Sequence, residues 1–332
     1  MGSRFRRCRR CAVSYWQRHP YPTDEVLANF YKFAIYQYTI MKHPINRKQF
    51  LHGLSLLAGS ALAPAATWAA IRNKPATKMK LGLVTYLWGK DWDVPTLIAN
   101  CTVTGLEGIE LRVEHAHGVS PEMSKRERRR VRDQFKGSAV ECVGMGTNQQ
   151  YDFPDQQALR ESIARTKEFI QLSADIGGTG VKVKPNAFHE GVPHEKTMAQ
   201  IGASLNELAA YAADFGQQLR LEVHGHETQN LPNIKTIMDH ADHPNATICW
   251  NCNQQDLDGQ GFQYNFDLVK DRFGDTIHVR ELDRTDYPYP ALLANLGQMA
   301  YDGWILLECH TDPADKVQSM REQRVVFDRM VV

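Results

Sequence analysis

The sequence predicts an α/β fold: one (β/α)8 TIM barrel, preceded by an export signal. Three observations predict it. From Lys80 onward, short apolar runs alternate eight times with helical patterns, the order of a parallel sheet wound with return helices. Four of the later runs each end in a residue of metal-ligand type. These are Glu222, Asn251, His278 and Glu308, separated by 29, 27 and 30 positions, and one strand with its return helix takes about 30 residues. Finally, no G-x-G-x-x-G follows the first run, which argues against a doubly wound dinucleotide-binding sheet.

The elements follow in order. Strands are predicted at 80–87, 106–112, 138–144, 179–184, 218–224, 246–252, 276–281 and 304–309. Helices are predicted at 93–103, 121–135, 155–175, 194–215, 231–241, 265–272, 287–300 and 312–330. The fourth helix shows the period most clearly, with Met198, Ile201, Leu205, Leu208, Ala209 and Ala212 forming one apolar stripe. Pro154, Pro193 and Pro232 fall near helix starts, where the missing N–H costs nothing. Eight such units in about 250 residues match the size of the barrel.

The first eighty residues read as processing segments. Residues 41–70 begin with basic residues around Asn46-Arg47-Lys48-Gln49-Phe50-Leu51, continue through an apolar stretch and end in small residues, the layout of an export signal. The Arg47-Lys48 pair gives it a twin-arginine-like (Tat-like) start, and cleavage is expected after Ala69. That placement predicts a periplasmic or otherwise exported protein. Pro64 interrupts the apolar stretch, so no stable membrane span is expected once the signal is removed. Met41 is the expected start, with 1–40 an added extension, 71–79 a linker and 80–332 the barrel.

Composition narrows the function classes. Lys+Arg 39 against Asp+Glu 38 leaves a net charge of +1 in 332 residues, so no field for nucleic acid is expected. The basic run Lys125–Arg132 reads as the solvated face of a helix. Seven cysteines are too few for a disulfide scaffold in a chain of this length. Cys249 and Cys252 lie three apart on a strand and so face opposite sides, which removes them as a shared metal site.

Alternation tests whether the strand-end residues share one site. Working residues of such barrels sit at the C-terminal strand ends and point inward. Glu222, His224 and His226 share a face opposite Leu221 and Val223. Asn251 lies opposite Trp250, His278 and Arg280 opposite Ile277 and Val279, and Glu308 opposite Leu307 and Cys309. Two carboxylates, an imidazole and an amide oxygen suit one divalent ion, with Mn, Mg, Co and Zn all open. Two glutamates near a polarised carbonyl can take a proton from carbon and return it. Other inward candidates for a sugar pocket are Trp88 after the first strand, Glu110, Arg112, His115 and His117 around the end of the second, and Lys182 and Lys184 on the fourth.

These segments (LEVHGH, CWNCN, GDTIHVRELD and GWILLEC, in that order) resemble the xylose-isomerase-like TIM barrels, in particular the sugar phosphate isomerase/epimerase group that includes ketose 3-epimerases. The resemblance covers about 80–332. It implies that Glu222, Asn251, His278 and Glu308 bind the metal, that Glu222 and Glu308 serve as acid and base, and that the partner is a small carbohydrate. Asn251 departs from the pattern, which has Asp there. The expected function is a metal-dependent sugar isomerase or epimerase. One alternative is a 3-keto-glycoside lyase or hydrolase on the same metal site, and another is a non-catalytic carbohydrate-binding barrel. A DNA-repair endonuclease of the related barrels would need more zinc ligands and a basic face.

Overall fold

The computed structural model describes residues 78–331. The expected extension 1–40, the export signal 41–70 and nearly all of the linker 71–79 lie outside the described residues. Eight strands close into one barrel in sequence order, every neighbouring pair parallel. They are β1 (Lys80–Val84), β2 (Gly108–Arg112), β3 (Glu141–Gln150), β4 (Gly180–Lys184), β5 (Gln218–Glu222), β6 (Ala246–Asn251), β7 (Phe273–Val279) and β8 (Trp304–Leu307). The outer helices are α1 (Val94–Thr104), α2 (Lys125–Lys136), α3 (Gln156–Ile176), α4 (His194–Ala213), α5 (Leu231–Asp239), α6 (Phe262–Val269), α7 (Tyr289–Gln298) and α8 (Lys316–Val331). None of the described helices is long and apolar enough to cross a membrane.

Local chemistry sets the helix starts. Asp93 caps α1 by accepting from the Thr96 N–H, and Asp155 caps α3 by accepting from Gln157 and Ala158. Ser124 and Glu127 cap each other's backbone at α2, a reciprocal capping box. That box starts α2 at Lys125 rather than at the expected 121. The last helix begins at Lys316 rather than 312.

Strand boundaries also move, furthest at β1, β7 and β3. β1 ends at Val84 rather than 87, because the Tyr86 N–H turns back to the Val84 carbonyl. β7 begins at Phe273, three residues early, directly after a 3-10 turn at Lys270–Arg272. β3 begins at Glu141 and runs to Gln150, far beyond the expected end at 144. Its polar C-terminal half stays in the sheet, with Gln150 in register with Lys184.

The alternation read from sequence divides the barrel into two surfaces. Ile109, Leu111, Val181, Val183, Leu219, Leu221, Ile277, Val279, Ile305 and Leu307 pack with the helices in the main core. Inside the barrel, Val84, Val143, Trp304 and Leu306 form a separate apolar layer. Gly108 makes room for it, since a Cβ there would lie 2.4 Å from the Trp304 ring. Towards the N-terminal end of the strands Arg220 is fully buried, donating to the Val143 carbonyl and Thr179 and pairing with Asp275 at 3.4 Å. Above the apolar layer, towards the strand C-termini, the interior turns polar.

Candidate metal centre and barrel mouth

Glu222, His278 and Glu308 come from three strands and converge inside the barrel. Each brings one ligand-type atom within 4.8 Å of the other two, and all three are buried. His278 Nδ1 lies 3.4 Å from Glu222 Oε1 and 3.5 Å from Glu308 Oε2. On the other side of the ring, Nε2 lies 3.1 Å from Glu110 Oε1. Asn251 ends β6 half-buried, in register with His278. The spacing of the strand ends therefore does bring Glu222, His278 and Glu308 into one place.

The fit to a cation can be tested on the polar atoms themselves. Both ring nitrogens of His278 and both carboxylate oxygens of Glu110 are buried without an aligned hydrogen-bond partner. The ion-pair distances are short enough, but the directions are wrong for hydrogen bonds. A buried polar group left in that state costs about 1–3 kcal/mol. A cation between Nδ1 and the two glutamates would satisfy Nδ1, and Glu110 would then orient the ring from behind, as carboxylates behind metal-bound imidazoles do. One imidazole and two carboxylates suit Mn, Mg, Co or Zn.

Lys182 joins this cluster. Its ammonium donates to Glu222 Oε2 at 2.8 Å and to the Thr147 carbonyl at 3.3 Å, with 1 % of its side chain exposed. Burial alone would raise the Glu222 pKa, but the Lys182 charge, followed by His278, holds it well below the usual carboxylate range. Burial works against the Lys182 charge too, and Glu222, Glu308 and Glu110 overcome it and raise the pKa. Glu308 is lowered against its burial chiefly by His278. His278 rises well above its ordinary value despite burial, through Cys249, Glu110 and Glu308.

The other expected pocket residues separate into two groups. Arg112, His115, Lys184, His224 and Arg280 are half-buried at or just beyond the strand C-termini, while His226, four residues past the end of β5, is exposed. The second group is used up in packing. Trp88 is 2 % exposed and donates its ring N–H to the Thr311 carbonyl. His117 braces the loop after β2, contacting the Arg112 carbonyl through Nε2 and accepting from the Val119 N–H at Nδ1. Burial keeps His117 and His224 below their ordinary pKa, and His115 falls to about 4 through burial and the Arg112 charge.

Two arrangements escape the sequence reading. Asn148 sits in the overlooked half of β3 and accepts from both Arg112, at 3.3 Å, and Lys184, at 3.2 Å. Asp152, buried just beyond β3, accepts from Asn186 at 3.0 Å and lies 2.9 Å from His189 Nε2. Had β3 been carried through its polar run, Asn148 would have stood next to Arg112 and Lys184 on the inward face. Two cavities of about 330 and 310 Å3 lie among the loops, one bordered by His115 and Asn148, the other by Trp88 and Arg284. Neither is lined by Glu222, His278 or Glu308, so the ligand-type cluster, not the loop cavities, locates the candidate chemistry.

A closed parallel barrel with a carboxylate–imidazole cluster at the C-terminal side of its strands defines a (β/α)8 protein with a candidate divalent-metal centre. The chain belongs to the xylose isomerase-like TIM barrel family, whose sequence profile matches residues 98–328. No curated protein matches it by sequence. Among solved structures it is similar to a 3-keto-D-glucoside 4-epimerase from E. coli, with a TM-score of 0.65 at 13 % identity over 76 % of this chain and 99 % of that one. It is also similar to a D-allulose 3-epimerase from Methylomonas sp., with a TM-score of 0.64 at 18 % identity over 77 % and 99 %. A third, the IolI protein with a bound zinc atom, has a TM-score of 0.64 at 14 % identity over 76 % and 98 %. At these identities the likeness speaks for the fold.

Proposed function

We propose that the protein is a divalent-metal-dependent sugar isomerase or epimerase that moves a proton on the carbon next to a carbonyl. The observation that carries this reading is the buried Glu222–His278–Glu308 cluster with both imidazole nitrogens unsatisfied. Glu222, His278 and Glu308 would hold the ion, with Asn251 as fourth ligand through its amide oxygen. A cation there supplies Lewis-acid polarisation of the sugar carbonyl. The structural relatives include sugar epimerases and one zinc-bound protein, which supports a small sugar as substrate and keeps zinc among the candidates with Mn, Mg and Co.

In this reading one glutamate takes the proton from carbon, and the C–H electrons pass into the carbonyl to give an enediolate. The other glutamate returns a proton to carbon from the opposite face. With the ion bound Glu110 would orient the His278 ring, and Lys182 holds one oxygen of Glu222 and turns the other towards His278. If the segment 41–70 acts as the export signal its sequence suggests, this chemistry would take place outside the cytoplasm.

A second reading has its own support. Lys182 binds Glu222 but makes no hydrogen bond to Glu308, which leaves the two glutamates unequal. A reaction needing one base, the elimination of a leaving group from a 3-keto-glycoside, uses such a pair. Incubation with keto-sugars and 3-keto-glycosides in deuterated water separates the readings. An epimerase returns a sugar carrying one deuterium beside the carbonyl and keeps any glycosidic bond, whereas the lyase releases the aglycone. No exchange and no release with any sugar that binds would contradict both.

A further inference from the structure

Three adjacent strands build a second arrangement one step nearer the mouth than the metal cluster. Arg112 lies two residues beyond Glu110 on β2, and Lys184 two beyond Lys182 on β4, so each repeats its predecessor's inward face. Between them, on β3, the amide oxygen of Asn148 accepts from Arg112 at 3.3 Å and from Lys184 at 3.2 Å. Two cations therefore meet on one neutral oxygen. Among the described residues neither has a carboxylate within ion-pair distance, in contrast to the buried Lys182 below them. The guanidinium is held in place by the Tyr86 ring, 5.3 Å away, and by His115 Nε2 at 3.4 Å.

Charge balance sharpens the contrast. With one divalent cation bound and His278 neutral as its ligand, the carboxylates of Glu110, Glu222 and Glu308 would balance the Lys182 ammonium and that cation. Arg112 and Lys184 remain over. Burial, and after it the Lys182 and Arg112 charges, lower the Lys184 pKa against the opposing pull of Glu222 and Glu308. A half-buried cation pair with no protein counter-ion is completed most simply by a ligand that brings one, because charge-assisted hydrogen bonds to an oxyanion are the strong ones.

We propose that Arg112, Asn148 and Lys184 form an oxyanion subsite at the barrel mouth, so that the substrate is an acidic sugar whose carboxylate or phosphate docks there while its carbonyl faces the metal cluster. This rests on the reading of the mouth as a sugar site and adds the substrate's charge. In the bound state Asn148 keeps the two cations apart and supplies its own amide N–H, and the oxyanion accepts from the guanidinium and the ammonium.

The test is titration calorimetry on the metal-loaded protein with D-glucuronate, D-glucose 6-phosphate and D-glucose. One or both acidic sugars should bind about tenfold or more tightly than glucose, the worth of a charge-assisted hydrogen bond. The two acidic arms decide between carboxylate and phosphate. The advantage should vanish in Lys184→Met and in Arg112→Met. Glucose binding as tightly as both acidic sugars, or a preference that survives both substitutions, would overturn the proposal. Metal content measured on the same preparations keeps the two readings apart. Full metal without acid preference removes only the subsite, and acid preference without metal removes only the proposed enzymatic function.

Discussion

His278 presents Nε2 to Glu110 at 3.1 Å and Nδ1 to Glu222 and Glu308 at 3.4 and 3.5 Å. One face of the imidazole is thus turned to an orienting carboxylate and the other to the candidate ligands. The division follows from strand order. β2 supplies Glu110, β5 and β8 supply the glutamates, and His278 on β7 reaches across the barrel between them.

Glu110 is therefore expected to act through His278. Glu110→Ala should weaken metal binding about 10–100-fold, as loss of an orienting partner does, with the three ligand side chains intact. Competition titration against a metallochromic chelator measures it. Unchanged affinity would mean that the Glu110–His278 approach has no bearing on the metal.

Lys182 and Glu222 form an ion pair with 1 % and 2 % of their side chains exposed. Lys182→Met leaves a carboxylate buried without its partner, and such loss costs about 3–5 kcal/mol. Denaturant unfolding of the metal-free protein should show that loss. The double variant Lys182→Met/Glu222→Gln should recover most of it, since the uncompensated charge is gone. Equal destabilisation in both would assign the loss to packing instead.

Asp256 supplies the pH dependence. It is buried between the Tyr287 hydroxyl, at 2.7 Å, and the Asn253 N–H, at 2.8 Å, while its other oxygen has no partner. Burial pushes its pKa up from 3.8 to about 7. A folded value above the unfolded one means that the folded protein holds the extra proton between those limits. Its contribution is fully present below about pH 4 and is lost as pH rises through about 7. Asp256→Asn should flatten this decline and raise stability at pH 8 by about 1–3 kcal/mol. Thermal unfolding across pH 4–8 checks the sign, and a variant less stable than wild type at pH 8 would contradict it.

The barrel and the core of the site were legible because their signals are periodic. Strand and helix repeat at a fixed interval, and inward residues alternate, so the sequence alone brings Glu222, His278 and Glu308 to one place. Residues whose surroundings come from other strands were harder to place. Glu110 and Lys182 read as pocket residues, yet both lie inside the cluster, because a strand pattern gives the face but not the depth. Trp88 and His117 read as pocket residues, but a distant partner at Thr311 draws Trp88 into packing, and the turn of the loop after β2 folds His117 back onto Arg112 and Val119. Asn148 is hidden because a half-buried polar strand end does not look like a strand. Its pairing with β4 comes from register, which apolar patterning does not encode there.

The central claim is that Glu222, His278 and Glu308 hold one divalent ion. Elemental analysis of the purified protein and of its Glu222→Ala, His278→Ala and Glu308→Ala variants, each shown to be folded by circular dichroism, tests it most directly. The account predicts about one equivalent of a divalent metal in the wild type, as one shared ligand set for a single ion requires, and its loss in every variant. Full occupancy in the folded variants would contradict it.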